Sequence, residues 1–164
     1  MDKVKILFVC LGNICRSPSA EAVMKALVEK DGLSDLVEID SAGILGVHAG
    51  EPANSTIMKH ASKRGYQLTS ISRQITAQDF FDFDMIIGMD NQNIIDLNGV
   101  CPNDNLRSKI SKMTDYSSNS LGEVPDPYYG GDNGFILVLD ILEDACSGLL
   151  EHVKNEIKKS FSNV

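Results

Sequence analysis

No apolar run in this chain approaches the ~20 residues needed to span a bilayer, and strand-like sequence begins within a few residues of Met1, which leaves no room for a secretory leader. Those two absences make the cytoplasm the expected location. Basic residues are scarce: 15 Lys and Arg stand against 23 Asp and Glu, a net charge of −8. A field of that sign repels nucleic acid and acidic membrane surfaces, so neither is expected as a partner. Metal-site spacing is missing as well. Cys10 and Cys15 are close together but no second Cys or His pair stands at zinc-site distance, and His48, His60 and His152 are isolated, which reads as surface or packing. Without a leader, the four cysteines (these two, Cys101 and Cys146) are read as free thiols. Internal repeats and low-complexity segments are also lacking. What remains is 164 residues with 43% apolar content, enough for one core, and a single domain over residues 1–164 is expected.

The most informative stretch is residues 10 to 18, Cys-Leu-Gly-Asn-Ile-Cys-Arg-Ser-Pro, directly after the apolar run Val4 to Val9. It reads as strand, loop, helix, with Ser17 expected as N-cap and Pro18 at the first helical position. A loop opening a helix gathers backbone N–H groups and the positive end of the helix dipole in one concavity, an anion site that needs no cofactor. Phosphate suits it. Arg16 adds a planar fork able to hold two phosphate oxygens, and Cys10, ringed by amides and a guanidinium, is set to react as a thiolate nucleophile. Gly12 and Asn13 supply the permissive backbone that a tight loop needs. A nucleotide-binding loop of the Gly-Lys-Ser type is excluded, because the segment closes with Cys15, Arg16 and Ser17.

Further along, strands are expected at Leu36–Asp40, Asp84–Met89 and Lys109–Met113. Helices are expected over Ser17–Lys30, residues 54–64 ending at Gly65, a short one opened by the capping box Thr76 to Asp79, and residues 91–98. A loop rich in Ser, Gly, Pro, Asp and Asn fills residues 115–134, a length that is usually functional. Apolar residues three or four apart from Phe135 to Ile157 then spell an amphipathic helix. Strands alternating with helices imply a three-layer α/β domain, whose ligand sits at the carboxyl ends of the parallel strands, where the Cys10 loop falls.

Three segments, Cys10 to Ser17, Asp40-Ser41-Ala42-Gly43 and Asp126-Pro127-Tyr128-Tyr129-Gly130, stand in the order and at the spacing that resemble the low-molecular-weight protein tyrosine phosphatases, with the likeness spanning nearly the whole chain. The resemblance implies a flavodoxin-like, four-stranded parallel sheet in the order 2-1-3-4. It implies hydrolysis of phosphotyrosine in a protein substrate, with inorganic phosphate as product. Cys10 becomes a phosphocysteine while Asp126 protonates the departing phenolate; Asp126 then activates the water that frees phosphate, and Arg16 and the loop amides of Leu11, Gly12, Asn13, Ile14 and Cys15 hold the equatorial oxygens. In the family the residue matching Asn13 holds the loop in shape, that matching Ser17 donates to the thiolate, and that matching Ser41 supports the Asn. Tyr128 and Tyr129 would form one side of the substrate slot. Cys15 is either a packing residue or a second thiol that traps oxidised Cys10 as a disulfide.

The chain departs from the family pattern in two places. Val47 stands where relatives commonly carry an aromatic slot wall, and a supporting histidine near Arg73 is replaced by the run Thr69-Ser70-Ile71-Ser72, so the support would have to come from a Ser. Leu11 and Ile14 would line the slot; Ile14 suits an aryl ring, whereas members that prefer phosphoarginine have Thr there. Two other functions use the same features: an arsenate reductase, which needs further mobile cysteines, and a phosphotyrosine-binding module without turnover.

Overall fold

The computed structural model describes residues 3–119, 121–127 and 131–162. Four strands, β1 Val4–Cys10, β2 Val37–Gly43, β3 Met85–Gly88 and β4 Ile110–Lys112, pair in parallel in the order β2-β1-β3-β4. Helices α1 Arg16–Lys30, α2 Ser55–Lys63, α3 Asp79–Asp82, α4 Asn91–Val100 and α5 Gly131–Ser162 complete the layers. This is the expected flavodoxin-like arrangement.

The alternation of β1 explains the layers. Ile6, Phe8 and Cys10 point to one face and join Val23, Met24, Val138 and Leu142 of α1 and α5; Leu7 and Val9 point to the other and join Phe80 and Leu97 of α3 and α4. Both faces are covered, so β1 is apolar along its length, as a central parallel strand must be. Cys10 is the last residue of that strand, pinned in register opposite Gly43 of β2.

Several boundaries differ from expectation for local reasons. Helix α1 begins at Arg16, with Cys15 in the cap position and no side-chain cap; Ser17 is not the cap, because its hydroxyl turns inward to Cys10 and Asn13. Pro18 then falls in the first turn, where its missing N–H costs nothing. Strand β2 runs on past Asp40 to Gly43, carried by pairing with Phe8, Val9 and Cys10. Strands β3 and β4 are each shortened at both ends, and α5 starts at Gly131, inside the stretch read as loop. The Asn54 side chain caps α2 by accepting from the N–H groups of Thr56 and Ile57, and Gly65, at φ 88°, ends it as expected. At the capping box, the Asp79 carboxylate accepts from the Thr76 N–H at 2.8 Å, and α3 lasts a single turn. Among the described residues no helix is long and apolar enough to cross a membrane.

Candidate active site

The loop from Leu11 to Cys15 is held from outside by its carbonyls. The carbonyl of Cys10 accepts from Ile44 N–H, that of Leu11 from Leu45 N–H, that of Ile14 from Asn54 N–H, and that of Cys15 from both the amide and the hydroxyl of Ser19. The Gly12 carbonyl accepts from the Ser72 hydroxyl at 3.0 Å, so Ser72 supplies support from the segment where relatives keep a histidine. With the acceptors engaged outward, the loop's N–H groups are what it has left to offer a ligand, and the α1 dipole adds its positive end.

The interior of the loop is held by one side chain. Asn13 is the one non-glycine residue at positive φ (57°) among those described, a conformation Asn tolerates well. Its Nδ2 donates to Ser17 Oγ at 2.8 Å and Ser41 Oγ at 3.0 Å, and its Oδ1 accepts from the Arg73 N–H at 3.0 Å. Ser17 Oγ lies 3.0 Å from Cys10 Sγ. Gly43 lets this loop approach β2: a Cβ there would stand 3.0 Å from the Gly12 carbonyl carbon and 3.1 Å from the Asn13 nitrogen.

Arg16 closes the loop and is only 3% exposed. Its NH1 donates to Asp90 Oδ2 at 2.6 Å and to the Val124 carbonyl at 3.1 Å, and its NH2 is 3.8 Å from Asp126 Oδ2. Burial is the largest single influence and opposes its charge, yet Cys10, Asp90 and Asp126 together hold its pKa above the ordinary value. The Val124 N–H donates to the Met89 carbonyl, so the stretch before Asp126 is tied to the end of β3. Cys15 differs from its neighbour: burial first, then repulsion by Cys10 and Asp126, pushes its thiol up to about 12 against the pull of Arg16, so it is a neutral thiol at physiological pH.

These groups meet in one cavity of about 450 Å³, lined by Cys10, Arg16, Asp126, Cys15, Leu11 and Ile14, with the exposed Val47 at its edge. Ser17 and Ser41 are buried behind the loop. Tyr128 and Tyr129 lie outside the described residues. A larger cavity, about 650 Å³, at the opposite end of the sheet between Val4, Met85, Tyr116 and His152 holds none of the expected site residues. Cys101 and Cys146 are buried elsewhere, bonded to the carbonyls of Asn103 and Ala20. No cluster of His, Cys, Asp and Glu among the described residues could hold a metal ion.

Sequence reasoning missed four contributors. His48 is a surface residue, as expected, but it also lines the cavity and bonds Glu51 at 2.6 Å. Phe135 forms another wall, stacked on His60. Asp90 had a readable signal, an N-cap residue just past the carboxyl end of β3, where ligand residues gather. Glu21 had one too: a carboxylate among Ala20, Val23 and Met24 on the buried side of α1, only 5% exposed.

Fold and cavity together define a class, a cysteine-dependent phosphatase on a flavodoxin-like sheet. The family model described as low molecular weight phosphotyrosine protein phosphatase matches residues 5–159. The low molecular weight protein-tyrosine-phosphatase YfkJ of Bacillus subtilis is 41% identical over 155 residues, covering 93% of this chain and 97% of its own, and the rat low molecular weight phosphotyrosine protein phosphatase is 40% identical over 147, covering 89% and 93%. A crystal structure of a protein tyrosine phosphatase from Entamoeba histolytica, with Hepes in its active site, superposes with a TM-score of 0.91 at 48% identity, covering 94% of this chain and 99% of that one. The chain belongs to the low molecular weight phosphotyrosine protein phosphatase family and is an enzyme of the protein-tyrosine-phosphatase class, whose chemistry runs through a cysteine.

Proposed function

We propose that this chain, acting as one domain over residues 1–164, hydrolyses phosphotyrosine in protein substrates in the cytoplasm, with Cys10 as nucleophile. One observation carries the assignment of roles: Cys10, Arg16 and Asp126 line the same cavity, with Arg16 NH2 and Asp126 Oδ2 at 3.8 Å. Cys10 attacks phosphorus in line; the P–O bond to the phenol breaks, and Asp126 gives its proton to the leaving oxygen. Arg16 and the amides of the loop carry the charge on the three equatorial oxygens, which favours the transition state because those donors are in place beforehand. Asp126, now ionised, takes a proton from the water that attacks the phosphocysteine, and phosphate leaves. With its side chain 43% exposed, Asp126 can reach substrate and solvent in turn. Leu11, Ile14 and Val47 supply apolar slot surface for the ring, Tyr128 and Tyr129 are proposed on the opposite side, and no cofactor is required.

Turnover of phosphotyrosine and of p-nitrophenyl phosphate tests the assignment. Cys10→Ser should abolish both while phosphate still binds, since the amides and Arg16 remain. Asp126→Asn should slow phosphotyrosine far more than the nitrophenyl ester, whose acidic phenol departs with little protonation. Residual Cys10→Ser activity within tenfold of wild type, or equal losses on both substrates for Asp126→Asn, would overturn the corresponding role.

A further inference from the structure

Behind the loop runs a chain of hydrogen bonds whose two ends admit only one polarity. At one end is the Arg73 backbone N–H, which can only donate; Asn13 Oδ1 accepts from it at 3.0 Å. The amide of Asn13 is thereby oriented, and its Nδ2 must donate to Ser17 Oγ and Ser41 Oγ. At the other end is Glu21, a carboxylate that can only accept: Oε1 lies 2.6 Å from Ser41 Oγ, while Oε2 takes Lys25 Nζ at 2.6 Å. Ser41, accepting from Asn13, must pass its single proton to Glu21. Ser17 likewise accepts from Asn13, so its one proton is free for Cys10 Sγ at 3.0 Å, with the Ala42 carbonyl at 3.4 Å the weaker alternative. Cys10, Asn13, Ser17, Ser41 and Glu21 are all buried, Arg73 is half-buried and Lys25 is exposed, and no buried side-chain polar atom among the described residues lacks a partner.

We infer that Glu21 is a positioning residue for the phosphatase reaction: by taking the Ser41 proton it holds the Asn13 amide in one orientation and directs the Ser17 hydroxyl onto the sulfur of Cys10. Without an acceptor at that place, the Ser41 proton has nowhere buried to go except toward Asn13. There it competes with the Arg73 N–H for the amide oxygen, and the donor aimed at the thiolate is lost in the fraction of molecules that reorganise. The inference rests on Cys10 being the nucleophile.

Glu21→Gln tests it with little change in volume, because Lys25 draws the Gln carbonyl and turns the NH2 group toward Ser41, replacing acceptor by donor. The readout is the pH dependence of Cys10 alkylation by iodoacetate, with the labelled residue identified by peptide mapping, beside kcat and KM on p-nitrophenyl phosphate. The midpoint of the alkylation profile should rise by about one pH unit, since the anion has lost a directed donor, and kcat should fall about tenfold with KM changed less than threefold. In a Ser17→Ala background, Glu21→Gln should add nothing further to the midpoint, because both changes remove the same proton. Ser41→Ala, which cuts the link from the other side, should shift the midpoint in the same direction, and it stands in for Glu21→Gln should that variant not fold. An unchanged midpoint, or shifts from Glu21→Gln and Ser17→Ala that simply add, would overturn the role of Glu21. If alkylated Cys10 retained turnover, the nucleophile assignment itself would fall, a result distinct from either.

Discussion

Asp90 holds Arg16 from behind. One oxygen accepts from the guanidinium NH1 at 2.6 Å while the other accepts from the Asn93 N–H at 2.7 Å, so a single carboxylate caps α4 and anchors the arginine that closes the loop after Cys10. The anchor leaves NH2 beside the cavity, 3.8 Å from Asp126 Oδ2, and in the proposed reaction it would fix the guanidinium plane ahead of the substrate.

Removing that carboxylate strands a buried cation and uncaps a helix together. Asp90→Ala should therefore destabilise the protein by about 3 kcal/mol or more, lowering the melting temperature by roughly 6–12 °C for a chain of this length. Asp90→Asn has one acceptor oxygen where Asp90 uses two, so keeping the cap turns its NH2 toward Arg16; it should recover only the share of the cap, about 1 kcal/mol, while phosphate binding stays weakened. Calorimetry with and without phosphate separates the two effects; a loss below 1 kcal/mol for Asp90→Ala would show that Arg16 finds another partner.

Cys15 bears on the redox behaviour through its raised pKa. The neutral thiol is the dominant form up to about pH 12, so the thiolate fraction rises about tenfold per pH unit through the neutral range. Oxidation of Cys10 to a sulfenic acid takes away the repulsion that residue exerts on Cys15 but leaves burial, the larger cause, in place. If Cys15 is the resolving thiol, disulfide formation after a peroxide pulse should be slow at pH 6.5 and about a hundredfold faster at pH 8.5. Dimedone trapping, which captures the sulfenic acid, should be efficient only at the lower pH, and dithiothreitol should restore activity. A pH-independent rate, or equal recovery in Cys15→Ser, would return Cys15 to the packing role that its place against the Ile57, Leu68 and Phe135 cluster already suggests.

Val47 is 72% exposed at the edge of the cavity, so a larger side chain meets no crowding there. Val47→Trp should place a ring against an aryl substrate and lower KM for phosphotyrosine by about two- to tenfold, the equivalent of a stacking contact of roughly 0.5–1.5 kcal/mol. Phosphoserine has no ring and should gain nothing. Equal gains on both substrates would place the effect in the loop rather than in stacking.

The strand–loop–helix architecture around Cys10 was legible in the sequence because it is local. A strand-end cysteine, a residue able to take positive φ, an arginine and a helix start lie within nine consecutive residues, and β1 carries the apolar character of a central parallel strand in its own composition. The parallel order of the sheet followed from strands alternating with helices together with the family likeness. Local signals misled at Ser17, where cap chemistry is spelled out but the hydroxyl is claimed by Cys10 and Asn13, and at the start of α5, where Gly and Asp read as loop. Only the tertiary structure could decide which distant groups answer the loop's demands. Ser72 reaches Gly12 across 60 positions, Asp90 reaches Arg16 across 74, and Glu21 meets Ser41 where α1 lies over β2. A buried donor or acceptor states in the sequence that a partner is required, because leaving it unmet costs about 1–3 kcal/mol. Which residue meets it depends on the register of β1 against β2 and β3 and on how the connecting loops return to the carboxyl edge of the sheet.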